Sequence, residues 1–98
     1  MEIVKSILSD VIKSFVKYPD DVELFDSVDS DEKGELVIVN VKVNRADIGI
    51  CIGTEGNTAE SLRKIAGLIG FKHTGKRVYV KIDAPKIPKD HFEYNKDK

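Results

Sequence analysis

Apolar residues recur with a period near four at the start of the chain, a period of two in its middle, and a helical period again before a last alternating stretch. In residues 2–17, Ile3, Ile7, Val11 and Phe15 fall every fourth position with Val4, Leu8 and Ile12 beside them, which predicts an amphipathic helix. Pro19 ends it, because a proline pushes the residue before it out of the α region. Val22 to Val28 predicts a short strand, and Asp29-Ser-Asp-Glu-Lys-Gly34 a polar turn. From Leu36 to Val43 the valines at 37, 39, 41 and 43 alternate with Ile38, Asn40 and Lys42, the clearest strand in the chain.

Asn44 then caps a short helix, with Asp47 placed to complement its positive start. That helix ends near Ile52, where Gly53 is able to take a positive φ. Asn57 reads as the next cap and Glu60, three residues on, as its capping-box partner. Ala59, Leu62, Ile65, Ala66 and Ile69 mark a buried stripe, and Gly70 reads as the terminator. Gly75 opens a turn into a strand over Arg77–Asp83, with Val78, Val80 and Ile82 inward. Residues 84–98 show no periodicity and read as a flexible tail, leaving residues 1–83 as one domain.

The order is helix, strand, strand, helix, glycine corner, helix, strand. Parallel strands need a crossover, and the helix pair before the last strand supplies one. The expectation is an α+β domain: a three-stranded mixed sheet with all three helices on one face.

Composition narrows the function classes. With 98 residues, 41% hydrophobic and 34% charged, the chain suits a soluble domain with a modest core. No apolar run approaches the roughly 20 residues that span a bilayer. The start of the chain lacks a secretory pattern, since Glu2, Lys5, Ser6, Ser9 and Asp10 interrupt its apolar residues. The single cysteine, Cys51, permits no intrachain disulfide and no cysteine metal cluster, so a reducing cytoplasm is the expected setting. The net charge of -1 is unevenly spread: residues 1–34 hold four lysines against nine acids, a net -5, and residues 35–98 are +4. Such asymmetry arises by chance in soluble domains, but here the basic part also holds the glycine corner.

That corner, Gly53-Thr-Glu-Gly56, is the main candidate for chemistry. Two glycines around two residues at a helix–helix junction allow a nucleic-acid backbone to approach the main chain. The bland alternative is a pair of helix-terminus glycines. Glu55 stands where a phosphate binder would place a cation. An acid about 6 Å from a phosphate costs roughly 0.7 kcal/mol at the dielectric of water and about 3 kcal/mol at an effective value of 20. Glu55 either complements the dipole of the following helix or competes with phosphate for its N–H groups.

The run Asp47-Ile-Gly-Ile-Cys-Ile-Gly-Thr-Glu-Gly-Asn-Thr-Ala-Glu-Ser-Leu-Arg63, with Tyr18-Pro-Asp-Asp-Val22 after the first helix, resembles the small bacterial single-KH RNA-binding proteins of the KhpA type. The resemblance covers about residues 2–83 and implies a type II KH domain. It implies non-catalytic binding of single-stranded RNA in post-transcriptional or ribosome-related processes, with about four nucleotides in a groove. It also implies pairing with a second copy or with another KH-containing protein. Gly53 and Gly56 match the loop glycines, and Ile48 and Ile52 the apolar positions lining the groove. Thr58 matches the threonine after the loop, and Arg63 a basic residue beyond it. Thr54, Glu55, Asn57 and Glu60 depart from a pattern that usually carries cations at several of these positions. Arg45, Arg63, Lys64, Lys72, Lys76, Arg77 and Lys81 are the cations able to compensate. The expectation is weak binding with a shallow salt dependence. The competing expectation is a KH-fold protein-interaction module whose acidic loop has given up RNA.

The remaining residues favour the bland reading. Arg63 and Lys64 sit on a helix face that is either solvated or on phosphate. Cys51 reads as a small packed apolar residue. His73 and His91 lack neighbours for a metal site, and no nucleophile–base pair or paired carboxylates point to an enzyme or a cofactor. Phe92 and Tyr94, among lysines in the tail, are candidates for stacking on bases.

Overall fold

Strand β2 (Gly34–Lys42) is the spine of the domain, with β1 (Glu23–Asp31) antiparallel on one side and β3 (Arg77–Asp83) parallel on the other. The computed structural model describes residues 1–83, and the readings made of residues 84–98, including His91, Phe92 and Tyr94, lie outside them. Helices α1 (Glu2–Lys13), α2 (Ile48–Ile52) and α3 (Asn57–Thr74) complete the expected order. Val37, Val39 and Val41 of β2 and Val80 of β3 turn toward the helices and are buried. They pack with Val4, Leu8, Ile12, Cys51, Leu62 and Ala66 in one core. The opposite sheet face bears Phe25, Ile38, Asn40, Tyr79 and Lys81, paired across the strands by the register.

The first helix departs from expectation in length and in face. It ends at Lys13 rather than 17, because Ser14 folds its N–H and Oγ back onto the carbonyl of Val11. The amides of Lys17 and Tyr18 then donate to the two carboxylate oxygens of Asp47, each at 2.9 Å. Asp47 is therefore a buried clamp, 2% exposed, joining the end of α1 to the start of α2. The row Val4–Leu8–Ile12 faces the core, while Ile3 and Ile7 lie at the surface.

The hairpin is longer than the sequence suggested. β1 runs through the supposed polar turn to Asp31, leaving Glu32-Lys33 as a two-residue loop before Gly34 at φ 115°. Arg77 holds the far end: its guanidinium donates to both Asp31 carboxylate oxygens, at 3.0 and 2.7 Å, and to the Gly34 carbonyl. These acids have low intrinsic strand preference, and the cross-strand partner and the arginine override it.

Two readings of α3 are corrected. Gly70 does not terminate it; the helix continues to Thr74 and is closed by Gly75 in the left-handed conformation. Gly70 is buried instead because α3 crosses β3 so closely that a Cβ there would overlap Cγ2 of Val78. Asn57 does not cap the helix either. It is already helical at φ -62°, ψ -41°, and the N-cap is Gly56, which offers no side chain. Glu60 consequently makes no capping box and sits 3.7 Å from Arg63. In the stripe, Ala59, Leu62 and Ala66 are buried as expected, but Ile65 is exposed.

Candidate nucleic-acid interface

The glycine corner forms because the chain must reverse between α2 and α3 within four residues. Asn44 caps a 3-10 turn over Arg45–Asp47 by accepting from the Ala46 N–H, and α2 follows directly. Gly53 ends α2 at φ 80°, ψ 172°, a region open essentially to glycine. Its N–H donates to Gly49 O, and its carbonyl accepts from Gly56 N–H at 3.1 Å. Glu55 (φ 55°) and Gly56 (φ 79°) both lie in the left-handed region. Glu55 is the only non-glycine with positive φ among the described residues.

The two glycines have different reasons to be glycine. A Cβ on Gly53 would stand 2.7 Å from the Thr58 amide nitrogen and closer still to its Oγ1. Thr58 is thus a packing partner of the corner. A Cβ on Gly56 would meet nothing within 4 Å, so only its dihedral demands glycine. Thr54 and Glu55 project into solvent at the tip, and Asn57 is exposed at the start of α3. The Asn57 N–H, the first amide of the 18-residue α3, donates to Thr54 O within the corner, and the positive end of the helix dipole, which favours an anion, lies at this tip.

Around the corner, Ile52 is exposed on the same side of α2 as Gly49, whereas Ile48 is partly buried against the core. Ile48 therefore packs against the core and Ile52 faces solvent beside the corner. Arg45 is exposed on the 3-10 turn before α2. Arg63 points from α3 to the outer edge of β3. Its Nε–H donates to Val80 O at 3.0 Å, its guanidinium lies 4.6 Å over the Tyr79 ring, and Glu60 stands beside it. Among the other cations, Arg77 is engaged by Asp31 and Lys76 approaches Glu35. Lys64 and Lys72 are exposed on α3, and Lys81 on the outer sheet face. The positive charge is thus dispersed, and the side chain exposed at the tip of the corner beside Thr54 is the acid Glu55.

Sequence reasoning missed Tyr79. The signal was an aromatic at the polar phase of Arg77–Asp83, between two cations. Cys51 is buried on the inner face of α2, and burial, aided by Asp47, pushes its thiol up to about 11, so it stays a neutral packing group. Among the described residues, no group of three or more His, Cys, Asp or Glu is placed to hold a metal, and no helix is long and apolar enough to cross a membrane.

Residues 5–82 match the KhpA/KhpB KH domain. This chain belongs to that family. It is 36% identical over 75 residues to the RNA-binding protein KhpA of Leifsonia xyli, covering 76% of this chain and 90% of the relative. With the RNA-binding protein KhpA of Lactiplantibacillus plantarum it shares 36% identity over 62 residues, 63% of this chain and 68% of that one. The fold also matches Era of Aquifex aeolicus bound to GDP and aluminium fluoride, at TM-score 0.64 and 15% identity over 88% of this chain. A second Era structure, in complex with MgGDPNP and nucleotides 1506–1542 of 16S ribosomal RNA, matches at TM-score 0.64 and 16% identity over 87% of this chain. The chain spans about a third of each Era chain, 31% and 30%. At these identities the likeness to Era shows the fold alone.

Proposed function

We propose that residues 1–83 form one KH unit that binds single-stranded RNA without catalysing a reaction on it, in a cytoplasmic, post-transcriptional or ribosome-related role. The RNA backbone passes over the Gly53–Gly56 corner, with about four nucleotides lying between α2, α3 and the edge of β3. The observation that carries this reading is the corner itself. Its inner pair, Thr54 and Glu55, is exposed, and the space around Gly56 is open, so a sugar-phosphate backbone has room to approach the start of α3. The names of the two curated relatives support the same reading. Ile52 borders the groove, Ile48 backs it, and Arg63 stands at its β3 edge. Glu55 tunes the affinity down by opposing phosphate at the tip.

The test is a fluorescence titration with short unstructured RNA at low salt. Glu55→Lys is expected to tighten binding several-fold, and Thr54→Asp, which adds a second acid at the exposed tip, to weaken it at least as much. Equal affinities for wild type and both variants would remove the loop from the binding site. Substituting Gly53 is a poorer probe, because any side chain there strikes Thr58 and disturbs the corner itself.

A second reading, self-association or pairing with another KH protein, is favoured by Leu68 at 76% exposure at the apex of α3. Ile65 on the same helix and Ile3 and Ile7 on the adjoining α1 are also exposed. Large apolar side chains grouped on a surface commonly mark interaction sites. A Leu68→Lys variant is expected to sediment as a smaller species than wild type at the same concentration; identical sedimentation would exclude this face.

A further inference from the structure

Beyond Arg63, on the side away from the glycine corner, a cleft of about 520 Å³ opens between α3 and the outer edge of β3. It is lined by Gly67 and Phe71 of α3, by Arg77, Val78 and Tyr79 of β3, and by Asp31 and Leu36 of the β1–β2 hairpin, so it wraps the β3 edge from the helix side to the outer sheet face. That volume is within the range of small-ligand sites. We propose that this cleft receives an unstacked nucleobase of the same RNA strand, extending the footprint past the four nucleotides of the groove. The inference rests on the RNA-binding reading and adds a base-binding subsite to it.

Four features of the cleft fit a flat, uncharged ring. Its walls carry two aromatic side chains, with Phe71 65% and Tyr79 42% exposed, and base–aromatic stacking tolerates any base. Tyr79 lines the cleft, and the Arg63 guanidinium 4.6 Å over its ring holds it in place. Arg77 and Asp31, which both line the cleft, neutralise each other through two hydrogen bonds, so this pair offers no net charge to a phosphate. The β3 edge supplies polar groups: Val80 O points away from β2 toward Arg63, and the alternate residue Val78 turns its main-chain groups the same way.

Position argues for the same strand. Arg63, Gly67 and Phe71 are spaced by four residues and form one row along α3. The cleft therefore continues the line from the corner past Arg63. Leu68, five residues beyond Arg63, points to a different side of the helix, which separates the cleft from the apolar apex.

The experiment compares four- and eight-nucleotide unstructured RNAs of one repeated sequence on wild type and on a Phe71→Ser variant. Wild type is expected to bind the longer RNA about tenfold more tightly. The variant, whose change lies at an exposed position away from Arg63, is expected to keep the four-nucleotide affinity and lose most of that gain. Phe71→Tyr, which keeps an aromatic ring, is expected to retain it. A gain that survives intact in Phe71→Ser, or no gain in a wild type that binds the shorter RNA, would overturn the subsite. If the shorter RNA fails to bind but the longer one binds through Phe71, the groove reading falls and the subsite stands. If Phe71→Ser dissociates a wild-type dimer without changing the length dependence, the cleft is a protein interface and the proposal is wrong.

Discussion

Two Gly-x-x-Gly sequences flank the middle of α3, and they do opposite things. Gly53-Thr-Glu-Gly56 precedes the helix, exposes its inner residues and owes its glycines first to backbone dihedrals. Gly67-Leu-Ile-Gly70 lies inside the helix, and Gly70 is buried against Val78. The first opens main chain to solvent; the second closes a helix onto a strand. Identical spacing thus carries no function until the backbone state is known. At Gly56 of the corner glycine is needed for φ alone, and at Gly70 of the seam for the missing Cβ alone.

The seam should show the larger effect. Gly70→Val places a branched side chain where even a Cβ overlaps Val78, and α3 cannot retreat without opening the core at Leu62 and Ala66. Overpacking of this kind typically costs about 3 kcal/mol of stability. Urea denaturation should show a lower midpoint with an unchanged slope. A midpoint equal to wild type would mean that α3 and β3 are not in the contact described.

Next in size is the asymmetry within the corner. Gly53→Ala meets both a forbidden dihedral and the Thr58 amide, and is expected to cost about 3 kcal/mol. Gly56→Ala meets only the dihedral, and should cost about 1 kcal/mol. Equal losses would dissolve the distinction between the two glycines. The seam has its own asymmetry, of smaller size and opposite sign. A Cβ on Gly67 stands at an ordinary 4.0 Å from Val78 O, and the residue is helical. Gly67→Ala should therefore stabilise the protein by roughly 0.5–1 kcal/mol in thermal or urea unfolding, because alanine loses less backbone entropy in a helix.

These pairs also explain which parts of the fold were legible in the sequence. β2 and β3 were visible because alternation maps directly onto the two faces of a sheet. Gly53 was visible because an apolar segment stops there and a second one begins. Gly70 was misread because a glycine that ends a helix and one that admits a neighbour look alike until Val78 is placed. The face of α1 was ambiguous for a similar reason: the Ile3–Ile7 and Val4–Leu8–Ile12 rows differ by one residue, and only the packing of the helix selects the second. Asn57 failed as a cap because Glu55 and Gly56 had already turned the chain into the helix. Within the candidate interface the corner was local and readable. The cleft was not, since Leu36, Phe71 and Tyr79 meet only through the register of β2 with β3 and the crossing of α3.

The smallest expected effect lies where the seam ends and β3 begins, at Arg77, the residue before Val78. Its guanidinium holds the Asp31 carboxyl down to about 2, helped by the Lys33 amide. An acid whose pKa is lowered by folding contributes stability above its ordinary value near 4, and that contribution fades as pH falls toward about 2. Both side chains are exposed, so the effect on global stability is small and screened by salt. The local effect is easier to read. Carboxyl NMR should place the Asp31 midpoint near 2 in wild type and return it toward the ordinary range in Arg77→Met. An unchanged midpoint in the variant would mean that the hairpin tip is held by its own turn, leaving the glycine seam alone to fix β3 against the rest of the domain.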